Sequence, residues 1–382
     1  MKKFLTNKLF LLTVIFFSLV LIFVSTGLPP FDFARVFYQG GSIADAIKNT
    51  VAPSKVIPPL DKEAYDQKLE EVANNPAPKV VMQTITEKDA NGKTIRRQVP
   101  LDPQPTALPN LWPVKAVYPN AGAILPFSRI IAYYGNLYSK NMGALGAHPR
   151  EEMLSRLRAE VKKWNEADPE TPAIPALHYI TVVAQSSAGE DGKYRARMPG
   201  AEIDKVLKMA AEINALVFLD FQVAFSTLPA ELPHYEKYLK LPQVHLGIDP
   251  EFSMKNGIRP GKVVGTFDAA DINFAANYLA GLVRENNLPP KVLVVHRYTQ
   301  KMVTNYKNIR PLPEVQIVMD MDGWGPQANK ISTYKQFIYR EPVQFTGFKL
   351  FYKNDLWDPG TVLFEPTQLL ELSPRPIYIQ YQ

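Results

Sequence analysis

Two carboxylates stand two residues apart in Asp249-Pro250-Glu251, directly after the short apolar run that ends at Ile248. Proline disfavours helix at the residue before it and fixes its own φ, so the spacing predicts extended backbone across both acids. On a strand, residues i and i+2 face the same side, about 6.6 Å apart. Carboxyls held that close divide their protonation states, one keeping its proton while the other ionises, as acid–base work at a glycosidic bond requires. Rotamers move the oxygens by more than the difference between retaining and inverting geometries, so the spacing fits both outcomes. The plainer reading is that Asp249 caps a turn and Glu251 is solvated.

Other polar residues interrupt apolar runs in the same way. Asp220 closes ALVFLD, His296 closes KVLVVH, Asp320 and Asp322 share one phase of VQIVMDMD, and Lys349 is in phase with Gly347 and Phe345 in QFTGFKLFY. The last run ends in Tyr378, Gln380 and Tyr381. The catalytic candidates are Glu251, Asp249, Asp220 and Asp320. The candidates for holding substrate are His296, Lys349, Tyr134, Asp322, Trp324 and Tyr352, with aromatic faces suited to sugar rings. Asp220, Asp249, His296 and Asp320 could serve a metal-dependent hydrolase, but the paired-His spacing of most such sites is missing, so no metal and no cofactor are expected.

The elements that must position these residues alternate along the chain. Strands are predicted at Arg129–Tyr134, Ala173–Ala184, Ala215–Phe221, Gln243–Ile248, Lys291–His296, Val315–Asp320, Gln344–Phe351 and Pro376–Tyr381. Helices are predicted at Arg150–Ala167, Gly200–Ile213, Ala230–Leu239, Ala269–Asn287, Thr299–Asn305, Gly325–Phe337 and Pro366–Leu372. Apolar strands alternating with helices argue for a parallel sheet covered by helices. Eight strands in roughly 250 residues match an α/β fold of the (β/α)8 TIM-barrel type over 126–382, in which functional groups gather at the C-terminal strand ends. A doubly wound open sheet is the runner-up, without the glycine-rich turn such folds carry.

Residues 29–125 read as a proline-rich spacer, with one helix at Lys62–Val72 and a β-hairpin over 80–99 whose tip includes Asn91-Gly92. Before it, Lys2, Lys3 and Lys8 precede the uncharged run Leu9–Val24. Residues 1–28 therefore read as a signal-anchor transmembrane segment, with later residues outside the cytoplasm, or as a signal whose cleavage would release the protein. The membrane is thus an expected partner. Nucleic acid is not, because 43 Lys and Arg against 37 Asp and Glu are scattered and form no recognition motif. With no cysteine, disulfides, thiolate metal sites and a cysteine nucleophile are excluded.

YGNLYSKNMGALG, GIDPEFSM, VVHRYT, MDMDGWG and TGFKLFY together resemble the motif set of an uncharacterised family of exported, membrane-anchored bacterial proteins, over residues 129–382. More distantly, the Asp-x-Glu of the fourth strand is similar to that of lysozyme-type and chitinase-type glycoside hydrolase barrels. That resemblance implies Glu251 as proton donor and Asp249 as its stabilising neighbour. It also sets Lys349 where many barrel glycosidases carry a nucleophilic carboxylate. Two functions are expected on these grounds: hydrolysis of a cell-surface or environmental polysaccharide, or non-catalytic saccharide binding as part of an envelope scaffold.

Overall fold

The computed structural model of the chain describes residues 58–77, 82–102 and 110–382. All of them fall in the unit Ile57–Gln382. The apolar run Leu9–Val24 lies outside the described residues, and among those described no helix is long and apolar enough to cross a membrane.

Eight parallel strands close on themselves: β1 (Arg129–Gly135), β2 (Ala173–Ala184), β3 (Leu216–Phe221), β4 (Val244–Ile248), β5 (Lys291–Arg297), β6 (Val315–Met321), β7 (Phe345–Leu350) and β8 (Tyr378–Tyr381). Each pairs with the next, and β8 returns to β1 with Tyr378 opposite Ile130 and Tyr381 opposite Tyr133. Closure satisfies both edges, which excludes the doubly wound alternative. Every residue of β1 and of β3 through β8 is buried except Leu216 at the start of β3, as expected of strands with side chains packed both inside and against helices.

Helices cover the outside. Gly200–Ala211 buries Ile203, Val206, Leu207 and Ala210, the i, i+3, i+4, i+7 stripe written in its sequence. Ala269–Asn286 starts from a capping box between Asp268 and Asp271 and stops where Asn287 turns left-handed. Arg150–Ala167 matches its predicted span.

Two helix expectations need correction. The segment expected as helix 230–239 breaks into Leu228–Glu231, a 3-10 turn Leu232–Tyr235 and Glu236–Leu239, because Pro233 interrupts the hydrogen-bond ladder. The helix expected at Thr299–Asn305 is instead a 3-10 turn, Gln300–Met302, followed by Val303–Thr304, which pairs in parallel with Phe267–Asp268. Sequence-local propensity carries no sign of that distant partner.

The N-terminal end of the barrel is stoppered by part of the proline-rich segment. Helix Lys62–Ala73 buries Tyr65 and Val72 against Ile130, Val292, Val318, Phe345 and Ile377. Two bonds to its backbone pin it there: Arg375 N–H donates to Val72 O (2.8 Å) and the Ser373 hydroxyl to Ala73 O (3.0 Å). The expected hairpin forms between Met82–Lys88 and Thr94–Pro100, almost wholly exposed.

Candidate functional site at the C-terminal barrel mouth

Strand alternation decides which side chains enter the barrel. On β5 the inward phase is Val292, Val294 and His296, and on β6 it is Gln316, Val318 and Asp320, continuing to Asp322. The register sets His296 beside Asp320, and Asp320 beside Gly347 of β7. Both rows turn ionisable near the C-terminal end, above Val294 on β5 and Val318 on β6.

Asp220 of β3 lies at the centre, fully buried. Its Oδ1 meets His178 Nε2 and His296 Nε2, each at 3.2 Å, and its Oδ2 accepts from the Tyr134 hydroxyl at 3.1 Å. Burial alone would raise this carboxyl, but His296 and His178 outweigh it and hold Asp220 well below the usual carboxylate range. For His296, burial opposes protonation, yet the carboxylates around it, Asp220 foremost, raise it well above its ordinary value. His178 behaves oppositely: burial dominates and lowers it to about 4, so the ring is neutral at pH 7. Its Nδ1 lies 2.6 Å from the Tyr378 hydroxyl, which accepts from Gln380 Nε2 at 2.8 Å.

His296 Nδ1 also stands 3.1 Å from Asp322 Oδ2, and Lys349 Nζ stands 2.9 Å from Asp322 Oδ1. The Lys349 ammonium lies 3.9 Å from the centre of the Tyr134 ring, a cation–π contact that orients it. Burial would raise Asp322, but Lys349 and His296 prevail and keep it below the usual range. Asp320 differs: its oxygens make no hydrogen bond, and burial raises it, with His296 Nδ1 no nearer than 3.5 Å.

The Asp249-Pro250-Glu251 expectation is corrected in its backbone. Pro250–Phe252 forms a 3-10 turn with Asp249 as its cap, Asp249 Oδ1 accepting from Glu251 N–H at 3.0 Å. Proline at the first position of a short turn serves a cap as well as a strand, and here the cap prevails. Both acids still reach the mouth. Gln222 Nε2 reaches Asp249 Oδ2 (3.4 Å) and Tyr134 Oη (3.3 Å). Burial raises Asp249 well above the carboxylate range, with Glu251 and Asp220 adding to the effect. Glu251 is half-buried and raised by burial first and by Asp322 second, while Tyr298 hydrogen-bonds to it.

The mouth thus brings together Asp220, His296, Asp320, Asp322, Lys349, Tyr134, Asp249 and Glu251. Trp324 stands at its rim, 59% exposed. Tyr352 does not belong to it: its hydroxyl meets Tyr133 Oη (3.0 Å) and Glu160 (3.3 Å), and its ring stacks on Tyr381, on the helix-facing side of the barrel. The phase of β7, with Phe348 and Leu350 outward, already puts residue 352 on that outer side; the expectation followed the aromatic type near the strand end instead of the phase. Sequence reasoning missed His178 and Gln222, whereas Tyr298 was among the aromatics it set at the rim. His178 sits in the middle of a 12-residue strand rather than at its end, and only the inward phase shared with Ala176 and Ile180 marks it.

His178 also revises the view of metals. With Asp220 and His296 it forms the one set among the described residues whose ligand atoms could hold an ion, all within 4.8 Å of one another. As they stand, these atoms are joined by hydrogen bonds, two imidazoles sharing one carboxylate oxygen.

Gly247 of β4 makes the arrangement possible. A Cβ there would overlap His178 Nε2 and Asp220 Oδ1, so only glycine leaves room for their contact.

No family model matches the sequence, and no curated protein does. Among solved structures the chain is similar to Cellulase Cel5C_n, at 16% identity and TM-score 0.40, over 67% of this chain and 76% of that one. It is also similar to an uncharacterized B. cereus protein (11%, TM-score 0.32, 66% of this chain and 60% of that one). A third is a ruminal GH26 endo-β-1,4-mannanase (11%, TM-score 0.32, 66% and 58%). The chain thus spans less than two thirds of the length of the latter two, and at these scores none of the three lends it an activity or a substrate.

Proposed function

We propose that this barrel hydrolyses glycosidic bonds of a polysaccharide, with Glu251 as general acid and Asp322 as the ionised carboxylate. The observation that carries this reading is the split environment of the two acids. Glu251, half-buried beside Tyr298, is pushed toward its protonated form, whereas Asp322, between Lys349 and His296, is held ionised. Carboxyls driven apart in this way divide the work of glycoside cleavage: one gives a proton to the departing oxygen, the other supports positive charge at the sugar or attacks it. Asp220 is also ionised but fully enclosed, so it acts through His296, which it keeps charged beside Asp322. Asp249 positions the Glu251 backbone through the turn it caps.

The basic start followed by Leu9–Val24 supports an export address, with the barrel outside the cytoplasm and held at the membrane unless cleaved free. A second reading, saccharide binding without turnover, is favoured by one feature: Lys349 ties up one oxygen of Asp322.

Release of reducing ends from a panel of soluble polysaccharides separates the two. Glu251→Gln keeps the shape and removes the proton, so turnover should fall by about 100-fold or more with binding retained. Equal turnover in wild type and Glu251→Gln would rule this acid out, and absence of turnover beside measurable binding would favour the second reading.

A further inference from the structure

Of the four tryptophans, Trp112 and Trp164 are buried, at 4% and 0% exposure. Trp324 and Trp357 are 59% and 76% exposed, with ring centroids 6.4 Å apart and planes within 27° of parallel. Leaving two indoles in water forgoes the burial that normally recruits them. Their loops are nevertheless firmly held. Gly325 N–H, next to Trp324, donates to Asp355 Oδ1 (3.0 Å), and Phe351 N–H donates to Asp355 Oδ2 (2.9 Å). Buried Lys330 pairs with Asp355 at 2.9 Å and donates to Gly323 O (2.7 Å) and Lys349 O (2.8 Å). One ion pair therefore clamps the backbone on both sides of Trp324 to the loop that carries Trp357. The same clamp grips Lys349, whose ammonium holds Asp322. Trp324 follows Asp322 by two residues, so a ligand lying on the rings borders the mouth.

Resting on the saccharide reading, we propose that Trp324 and Trp357 form a prebuilt aromatic platform for neutral sugar units of a polysaccharide, outside the bond that reacts. The stacked indoles, held on clamped loops, leave exposed ring faces that suit the flat apolar face of a pyranose, and held rings lose little entropy on docking. A membrane surface would require no such alignment and is served by apolar residues set among basic ones. The platform would set a preference for long chains over short oligosaccharides.

Because the other two tryptophans are buried, acrylamide quenching of intrinsic fluorescence in the whole protein reads these two. The probes are cello-, manno-, xylo- and chitohexaose, the matching disaccharides, and phosphatidylglycerol vesicles. One hexaose should protect against quenching where its disaccharide does not. Trp324→Ala and Trp357→Ala should each weaken its affinity, measured by calorimetry, about fivefold with no change in thermal midpoint. Wild-type affinity in the double alanine variant overturns the platform, and so does protection by vesicles alone or by no probe. If the hexaose binds through the tryptophans while no Glu251-dependent turnover appears, the platform stands and the hydrolase reading falls. Turnover lost only in Glu251→Gln, with both tryptophans dispensable, gives the converse.

Discussion

The Lys349 ammonium stands 2.9 Å from Asp322 Oδ1, 3.9 Å from the centre of the Tyr134 ring and 5.1 Å from that of Phe351. Its charge is the largest influence holding Asp322 below the usual carboxylate range against the effect of burial. A depressed carboxyl loses its ionised form only as pH falls through the folded-state value, so the acid limb of activity should follow Asp322. The alkaline limb should follow Glu251, whose raised value marks where its proton is lost. In Lys349→Met the acid limb should move up by about one pH unit, the usual scale for losing one close opposite charge. Limb positions identical to wild type would mean that Asp322 is not the titrating group. At this scale much of the site was legible. Strand phase alone selected Asp220, His296, Asp320, Asp322 and Lys349. The protonation states were not, because they depend on which carboxylate each cation faces, and only His296 and Lys349 in three dimensions settle that.

Strands were more readable than turns. A short apolar run bounded by turn signals is robust to its surroundings, and all eight barrel strands fall within two residues of their expected bounds. The Asp249 turn and the Val303–Thr304 pairing depend on one cap and on one partner more than 30 residues away, where local pattern is silent. The Lys330–Asp355 clamp was equally hidden, since Lys330 occupies a helix, Gln327–Thr333, whose sequence looks solvated. Burial lowers Lys330 to about 8, with Asp355 opposing the shift. Removing one partner of a buried pair strands the other, so Asp355→Ala should destabilise the protein by about 3–5 kcal/mol in urea unfolding. It should also release the Trp324 loop to faster amide exchange at Gly325. A midpoint unmoved by the change would show that the clamp bears no strain from either loop.

At the level of the whole molecule, the barrel has a polar mouth and an apolar base, and the base is sealed by chain that composition alone assigned to a spacer. Prolines between residues 29 and 125 suggested extended connection, and they do bound the one helix that matters, Lys62–Ala73. That helix inserts Tyr65 and Val72 into the same cluster as Leu125, Ile130 and Phe345, and Trp112 adds a bond from Nε1 to Tyr339 O at 2.9 Å. Burying a side chain of this size contributes about 1.5–3 kcal/mol, so two of them approach the smaller end of the 5–15 kcal/mol that a domain has in total. A barrel beginning at residue 126 keeps all eight strands but exposes Ile130, Val292 and Val318 at its base. It should bind a hydrophobic dye, unfold at lower urea concentration and associate, whereas a chain beginning at residue 58 should remain monomeric with a single cooperative transition. Sedimentation and urea titration of the two forms decide the matter. If the shorter form matches the longer in midpoint and stays monomeric, the helix is an accessory and the barrel's own residues close its base.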